Sequence, residues 1–276
     1  MKSKLYTVAA SMLLATTVFV VACKKDAAPS TRTIAPPVFP VVGDASFTEN
    51  FDSVGTLTAK GWVFVNNSSP IGTTGWRQGR YESAATAQYK FLAPVPFIGF
   101  QAYNSTNTAN DFISCDASAV NDLGAGTINI NAWLISPQVP LKNGDQISFY
   151  TRAVADQNYP VYTKDRMQVR LNITDGTANV GGGSDVADFG KFTVELLDIN
   201  KAYIYNDATG NTPVAPGYPQ AWTKYTITIS GIPGGSVEKA RFAFRYMGID
   251  AGIFGGTTGD NYPTVVGVDN VVFTRN

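Results

Sequence analysis

The sequence predicts an all-β protein, an antiparallel two-sheet β-sandwich. Three observations lead there. Apolar residues recur at every second position in run after run, the spacing that puts one face of a strand in a core. Glycine-, asparagine- and aspartate-containing pairs punctuate the chain between those runs. Threonine, serine, asparagine and glycine fill the polar positions, and only 15% of residues are charged, against roughly 25% in an average soluble protein. No helix-period stretch of convincing length, no heptad and no internal repeat competes with this reading.

The chain opens with Lys2 and Lys4, an apolar stretch from about Val8 to Val21, and then Val20-Val21-Ala22-Cys23. A charged start, a short apolar segment and a small residue before a cut describe a secretory signal, not a membrane span. The Val-Val-Ala-Cys run resembles a bacterial lipobox, in which the cysteine is acylated and becomes the first mature residue. The alternative is an ordinary signal peptide that happens to contain a cysteine. Residues 1–22 are therefore expected to be a lipoprotein signal peptide, with Cys23 as the lipidation site. Residues 23–45 follow as anchor and tether, where Pro29, Pro36, Pro37 and Pro40 favour extended geometry with a reach of ~50–60 Å.

Residues 46–276 are expected to form the sandwich. Ile147–Thr151, Met167–Ile173, Tyr225–Ile229 and Phe242–Tyr246 alternate clearly. Ser46–Asp52, Trp62–Val65, Phe97–Tyr103, Ile128–Ile135 and Phe192–Leu197 alternate more weakly. Val265–Thr274 is apolar on both faces, which predicts a central strand or one covered on both sides. Turns are expected at Asn143-Gly144, Asp175-Gly176, Gly181–Gly183, Gly234-Gly235 and Gly255-Gly256. The long loops are placed at 77–97, 104–127, 152–165 and 199–220, where functional or covering segments belong.

Composition excludes several classes of function. Residues 1–22 hold two lysines and no acid, which leaves 19 basic and 21 acidic groups and a net charge near −2. Nothing in that balance favours nucleic acid as a partner. With Cys23 acylated, Cys115 is the one remaining thiol, so no intrachain disulfide is expected and Cys115 reads as a small buried residue. The chain has no histidine. That removes a Ser-His-Asp triad, a Cys–His pair, HExxH zinc chemistry and a histidine proton shuttle. No spacing of carboxylates selects a glycosidase pair.

An ordered set of segments resembles the bacterial choice-of-anchor J domain family, related to cleaved-adhesin and MAM-type jelly rolls. It begins with Glu49-Asn50-Phe51-Asp52-Ser53-Val54, Gly61-Trp62 and Gly72-Thr73-Thr74-Gly75-Trp76. It continues through Trp133-Leu134-Ile135-Ser136-Pro137, Asp165–Leu171 and Arg241–Tyr246, and closes with Val266-Gly267-Val268-Asp269-Asn270-Val271. The resemblance covers about residue 47 to the C-terminus and implies a jelly roll held at the cell surface, without implying an activity. Inserted loops around 80–97, 155–164 and 248–262 depart from the pattern.

Jelly rolls similar to this family often hold a structural calcium where the first and last strands meet. Asp269 lies inside the apolar run Val265–Phe273, on the same strand face as Val271 and Phe273. An ionised carboxylate there costs several kcal/mol unless paired or coordinated. Glu49 and Asp269 are the expected ligands, with Asp52 as a third, since calcium takes oxygen donors. The open alternative is pairing with Arg241, Arg245 or backbone amides. Trp62, Trp133 and Trp222 are expected in the core, whereas Trp76 and Tyr81 are candidates for stacking on a ligand from loops. The chain thus reads as a lipid-anchored, non-catalytic binding or adhesion module of the bacterial cell envelope, expected at the outer membrane. Its expected partners are the membrane, through the lipid, and a glycan. The alternative is a structural or protein-interaction domain of an outer-membrane assembly.

Overall fold

The computed structural model describes residues 46–81, 99–104, 108–121, 128–154, 164–204, 217–249, 251 and 264–276. All of them belong to one compact unit. Cys23, the tether and the expected turn at Gly255-Gly256 lie outside the described residues. Among the described residues no helix is long and apolar enough to cross a membrane.

Twelve described strands make two antiparallel sheets, as the alternating runs predict. In chain order they are β1 (Phe47–Glu49), β2 (Val63–Asn66), β3 (Arg77–Gln78), β4 (Ile113–Asp116), β5 (Ile130–Ile135), β6 (Val139–Lys142), β7 (Gln146–Ala153), β8 (Met167–Asn172), β9 (Val194–Ile199), β10 (Thr223–Thr228), β11 (Ser236–Gly248) and β12 (Val265–Thr274). The first sheet runs β10-β7-β12-β4-β3, with β1 also on β12; the second runs β2-β5-β11-β8-β9, with β6 also on β11. Every pairing is antiparallel. The predicted turn at Asn143-Gly144, where Gly144 has φ 97°, carries the chain from β6 in one sheet to β7 in the other.

β7 shows how alternation builds the core. Ile147, Phe149, Thr151 and Ala153 are buried while Gln146, Ser148, Tyr150 and Arg152 are only half-buried. Between the sheets, Phe149 meets Phe244 edge to face at 4.9 Å and Phe47 stacks on Phe242 at 6.3 Å. Such pairs add to the burial term, which dominates the stability of a sandwich.

Three strands escape the sequence reading. β3 has two residues, β4 lies inside the expected loop 104–127, and β6 carries Pro140. Conversely, residues 99–104 of the expected strand Phe97–Tyr103 form no strand, only an isolated bridge between Gly99 and Tyr81. That segment instead lies over the outer face of the first sheet. Phe100, Ala102, Phe112, Val154 and Val265 form a small cluster there with Trp222 packed against it. This cover accounts for Val265 on the outer face of β12, at the end of the strand that is covered on both sides.

Candidate functional site

β12 is not regular, and its irregularity creates the site. Val266 and Val268 point into the main core, as do Val271 and Phe273, so the inward parity changes between them. The register shifts between Asp269 and Val272, and Asn270 has φ 46°. This is a β-bulge, which inserts one residue and reverses the faces beyond it. The expectation that Asp269 shares a face with Val271 and Phe273 is therefore corrected: Asp269 lies on the outer face.

Three rows of side chains cross that face. Lys224 on β10, Tyr150 on β7 and Asp269 on β12 are register partners in one row. Thr226, Ser148, Val272 and Thr48 form the next. Thr228, Gln146 and Thr274 form the third. Above the first row, Tyr103 stacks on Tyr150 with ring centroids 3.6 Å apart and planes 18° from parallel. A hydrogen bond with Tyr103 is the main cause that pushes the Tyr150 phenol above its ordinary pKa. Trp222 stands edge-on to Tyr103 at 6.5 Å and donates its indole N–H to Gln101 O at 2.8 Å. Arg152 lies 4.6 Å above the Phe100 ring and donates to Gln220 O at 2.6 Å. The result is an aromatic wall beside an open field of small polar side chains.

Asp269 is 2% exposed at the foot of the wall. Its Oδ2 accepts from the Tyr103 amide at 2.9 Å and its Oδ1 from the Asn270 amide at 2.6 Å. Burial pushes its pKa up to about 7; the two amides oppose that rise, and the like charges of Asp52 and Asp111 add to it. Asp111 was invisible in the sequence, because only the fold brings it near Asp269.

The expected calcium ligands are thus brought together only in part. Glu49 is corrected to an ion pair: Lys60 Nζ lies 2.9 Å from its Oε2, and its Oε1 accepts from the Phe51 amide at 3.1 Å. A carboxylate already neutralised in this way does not fit a metal. Asp269, Asp52 and Asp111 are hard oxygen donors with mutual repulsion to relieve, and they suit calcium better than a thiophilic ion. Among the described residues no group of three or more acidic, cysteine or histidine side chains is gathered tightly enough to hold a metal as it stands. Arg241 and Arg245 pair with neither Glu49 nor Asp269 among the bonds described. Arg245 is instead spent on Asn131 Oδ1 and the carbonyls of Asp185, Val186 and Asp188.

The stacking candidates are also revised. Trp76 is 7% exposed, belongs to the main core and donates to Ala132 O on β5 at 3.1 Å. It offers no face to a ligand. Tyr81 is half-buried, with its amide on Asn110 Oδ1 at 2.7 Å, and among the described residues no ring contact joins it to the wall. Trp62 and Trp133 are buried, whereas Trp222, expected in the core, is the tryptophan nearest the surface.

No protein-family model matches the chain, and no curated protein matches it. The likeness to the choice-of-anchor J family therefore stays a resemblance of motifs. Among solved structures, the K1 cleaved adhesin domain of Lys-gingipain from Porphyromonas gingivalis W83 is similar at 17% identity. That match covers 84% of this chain and 99% of that one, with a TM-score of 0.44. A mannohexaose complex of CBM27-1 from Caldicellulosiruptor saccharolyticus matches at 12% identity over 76% of this chain and 96% of that one, with a TM-score of 0.32. The glycoside hydrolase domain of Endo-D from Streptococcus pneumoniae R6 matches at 11% identity over 78% of this chain and 22% of that one, also at 0.32. Likeness at this distance brings neither a function nor a site residue to this chain.

Proposed function

We propose that this chain is a non-catalytic binding module of the bacterial cell envelope that takes up glycan on the outer face of its first sheet. The observation that carries the reading is the Tyr103–Tyr150 wall standing beside Lys224, Ser148, Thr226, Gln146 and Thr228. Sugar rings present apolar C–H faces that stack on aromatic rings, and hydroxyls that bond to short polar side chains. The open rows contain one apolar residue, Val272, so they lack the buried anchors on which protein partners usually dock. That weighs against the reading of a protein-interaction domain.

Catalysis is disfavoured by the same geometry. Asp269 and Asp165 are raised toward neutrality, but both are almost fully covered and both oxygens of each accept hydrogen bonds within the fold. A general acid must reach its substrate. A calcium ion at Asp269, Asp52 and Asp111 would supply the positive charge that corner lacks. Attachment through lipidated Cys23, and an outer-membrane location, rest on the signal sequence and its lipobox-like end.

The test is a glycan array probed with the full chain, in calcium and in chelator. Tyr150→Ala should abolish the signal on whichever glycans bind, and loss of signal in chelator should mark the cation site. Retention of full binding by Tyr150→Ala would move the site off this face. An array blank in both conditions would put the protein-interaction reading ahead.

A further inference from the structure

Asp269 does more at this face than lie beneath it. Residues 99–104 form no strand, so backbone pairing does not fix where they sit. Besides the packing of Phe100 and Ala102 in the outer cluster and the contact of the Tyr103 ring with Tyr150, their described backbone bonds are the Gly99–Tyr81 bridge, Ala102 N to Ala109 O at 2.8 Å, Trp222 Nε1 to Gln101 O at 2.8 Å, and Tyr103 N to Asp269 Oδ2 at 2.9 Å. Only the last ties the Tyr103 backbone to the sheet that carries Tyr150.

We infer that Asp269 is the positioning residue of the tyrosine wall, holding Tyr103 over Tyr150 and so setting glycan affinity; this rests on the function proposed above. The geometry accounts for each part. Alternation from Val266 and Val268 puts the Asp269 side chain on the outer face, next to Tyr150 in the register, and the bulge at Asn270 returns Val271 and Phe273 to the core. One oxygen is spent on Asn270, which orients the carboxylate, and the other then faces the Tyr103 amide. The two amides favour the ionised form of Asp269, and a hydrogen bond from an amide to an ionised carboxylate is stronger than one between neutral groups. Asparagine cannot replace the residue, because its amide accepts at one atom while the site asks for two. The assignment explains why a buried carboxylate stands where neighbouring acids oppose it: it is the shortest side chain that can accept from both amides.

The experiment has one arm that needs no ligand. Full-length wild type, Asp269→Ala and Asp269→Asn are nitrated with tetranitromethane and the modified tyrosines located by mass spectrometry. Ile147→Val serves as a control for general loosening, since Ile147 lies in the core on the opposite face of the sheet. Release of Tyr103 should raise its nitration rate several-fold in both Asp269 variants and leave it unchanged in Ile147→Val. The second arm is affinity electrophoresis in xylan and galactomannan, run as a cycle of Asp269→Asn and Tyr103→Ala. If Asp269 acts through Tyr103, the double variant binds no more weakly than Tyr103→Ala alone. Unchanged nitration of Tyr103 in folded Asp269→Asn overturns the inference, as does full additivity in the cycle. Faster nitration with no binding to either polysaccharide upholds the positioning role and counts only against the proposed ligand. Should Asp269→Ala fail to fold, Asp269→Asn carries both arms.

Discussion

Asp165, unlike Asp269, is a buried carboxylate whose partners would accept an amide in its place. Its Oδ1 accepts from Tyr246 Oη at 2.7 Å and from the Thr264 amide at 2.8 Å, and its Oδ2 accepts from Thr264 Oγ1 at 2.6 Å. It thereby ties β11 of one sheet to the start of β12 in the other. Burial pushes its pKa up to about 6, against the lowering effect of Thr264 and Tyr246. Folded Asp165 holds its proton more tightly than the unfolded residue does. Its stabilising contribution is therefore full below about pH 3.8 and is lost as pH rises through about 6, on the order of 3 kcal/mol in all. Asp165→Asn keeps the three contacts, because its NH₂ can donate to the threonine hydroxyl. It should match or exceed wild type at pH 7.5 and remove this part of the pH dependence of urea unfolding. Asp165→Ala should lose ~1–3 kcal/mol through its orphaned partners. An Asp165→Asn curve parallel to wild type between pH 4 and 7 would show that the group does not titrate there. Neither acid's environment was legible in the sequence, because Thr264, Tyr246 and Tyr103 are remote in the chain. Trp76 misled for a related reason: a glycine-rich approach suggests a loop tip, and nothing local shows that the indole turns inward to Ala132.

At the scale of elements, alternation was a sound guide where a strand was long and one face was buried, as in β7. It failed where pairing, not pattern, makes the strand: β3 and β4 are short and depend on each other and on β12. The bulge in β12 had a signal, since asparagine tolerates positive φ better than most residues and Asp-Asn interrupts an apolar run. Gly267 is the second device on that strand. An added Cβ would lie 2.7 Å from the Phe100 ring and 2.9 Å from Trp222, so the glycine lets the aromatic cover sit directly on the sheet. Gly267→Ala should cost ~1–3 kcal/mol from overpacking and lift the cover that carries Tyr103. The measurable outcome is a lower melting temperature together with a shifted tryptophan emission from Trp222. Emission and melting temperature both like wild type would mean that the cover does not rest on Gly267.

For the whole molecule, the sandwich was legible from its strands, but the candidate face was not. The wall joins residues of β7, β10, β12 and the 99–104 segment, and one-dimensional patterning does not reveal which of them meet. The cellular address stands apart from the fold and is tested by itself: Cys23→Ala should release the protein from the membrane fraction, and a variant still membrane-bound after a high-salt wash would refute the lipid anchor. The topology has one more consequence, for synthesis. β11 and β12 sit inside their sheets, yet they follow the other ten described strands in the chain, beginning at Ser236 and Val265. β1, β4 and β7 all pair with β12, so a nascent chain that stops short of Val265 has no strand to join them. Folding of the first sheet waits for Val265–Thr274, and a chain terminated before them is left with unjoined strand edges, a substrate for proteolysis instead of a stable partial domain.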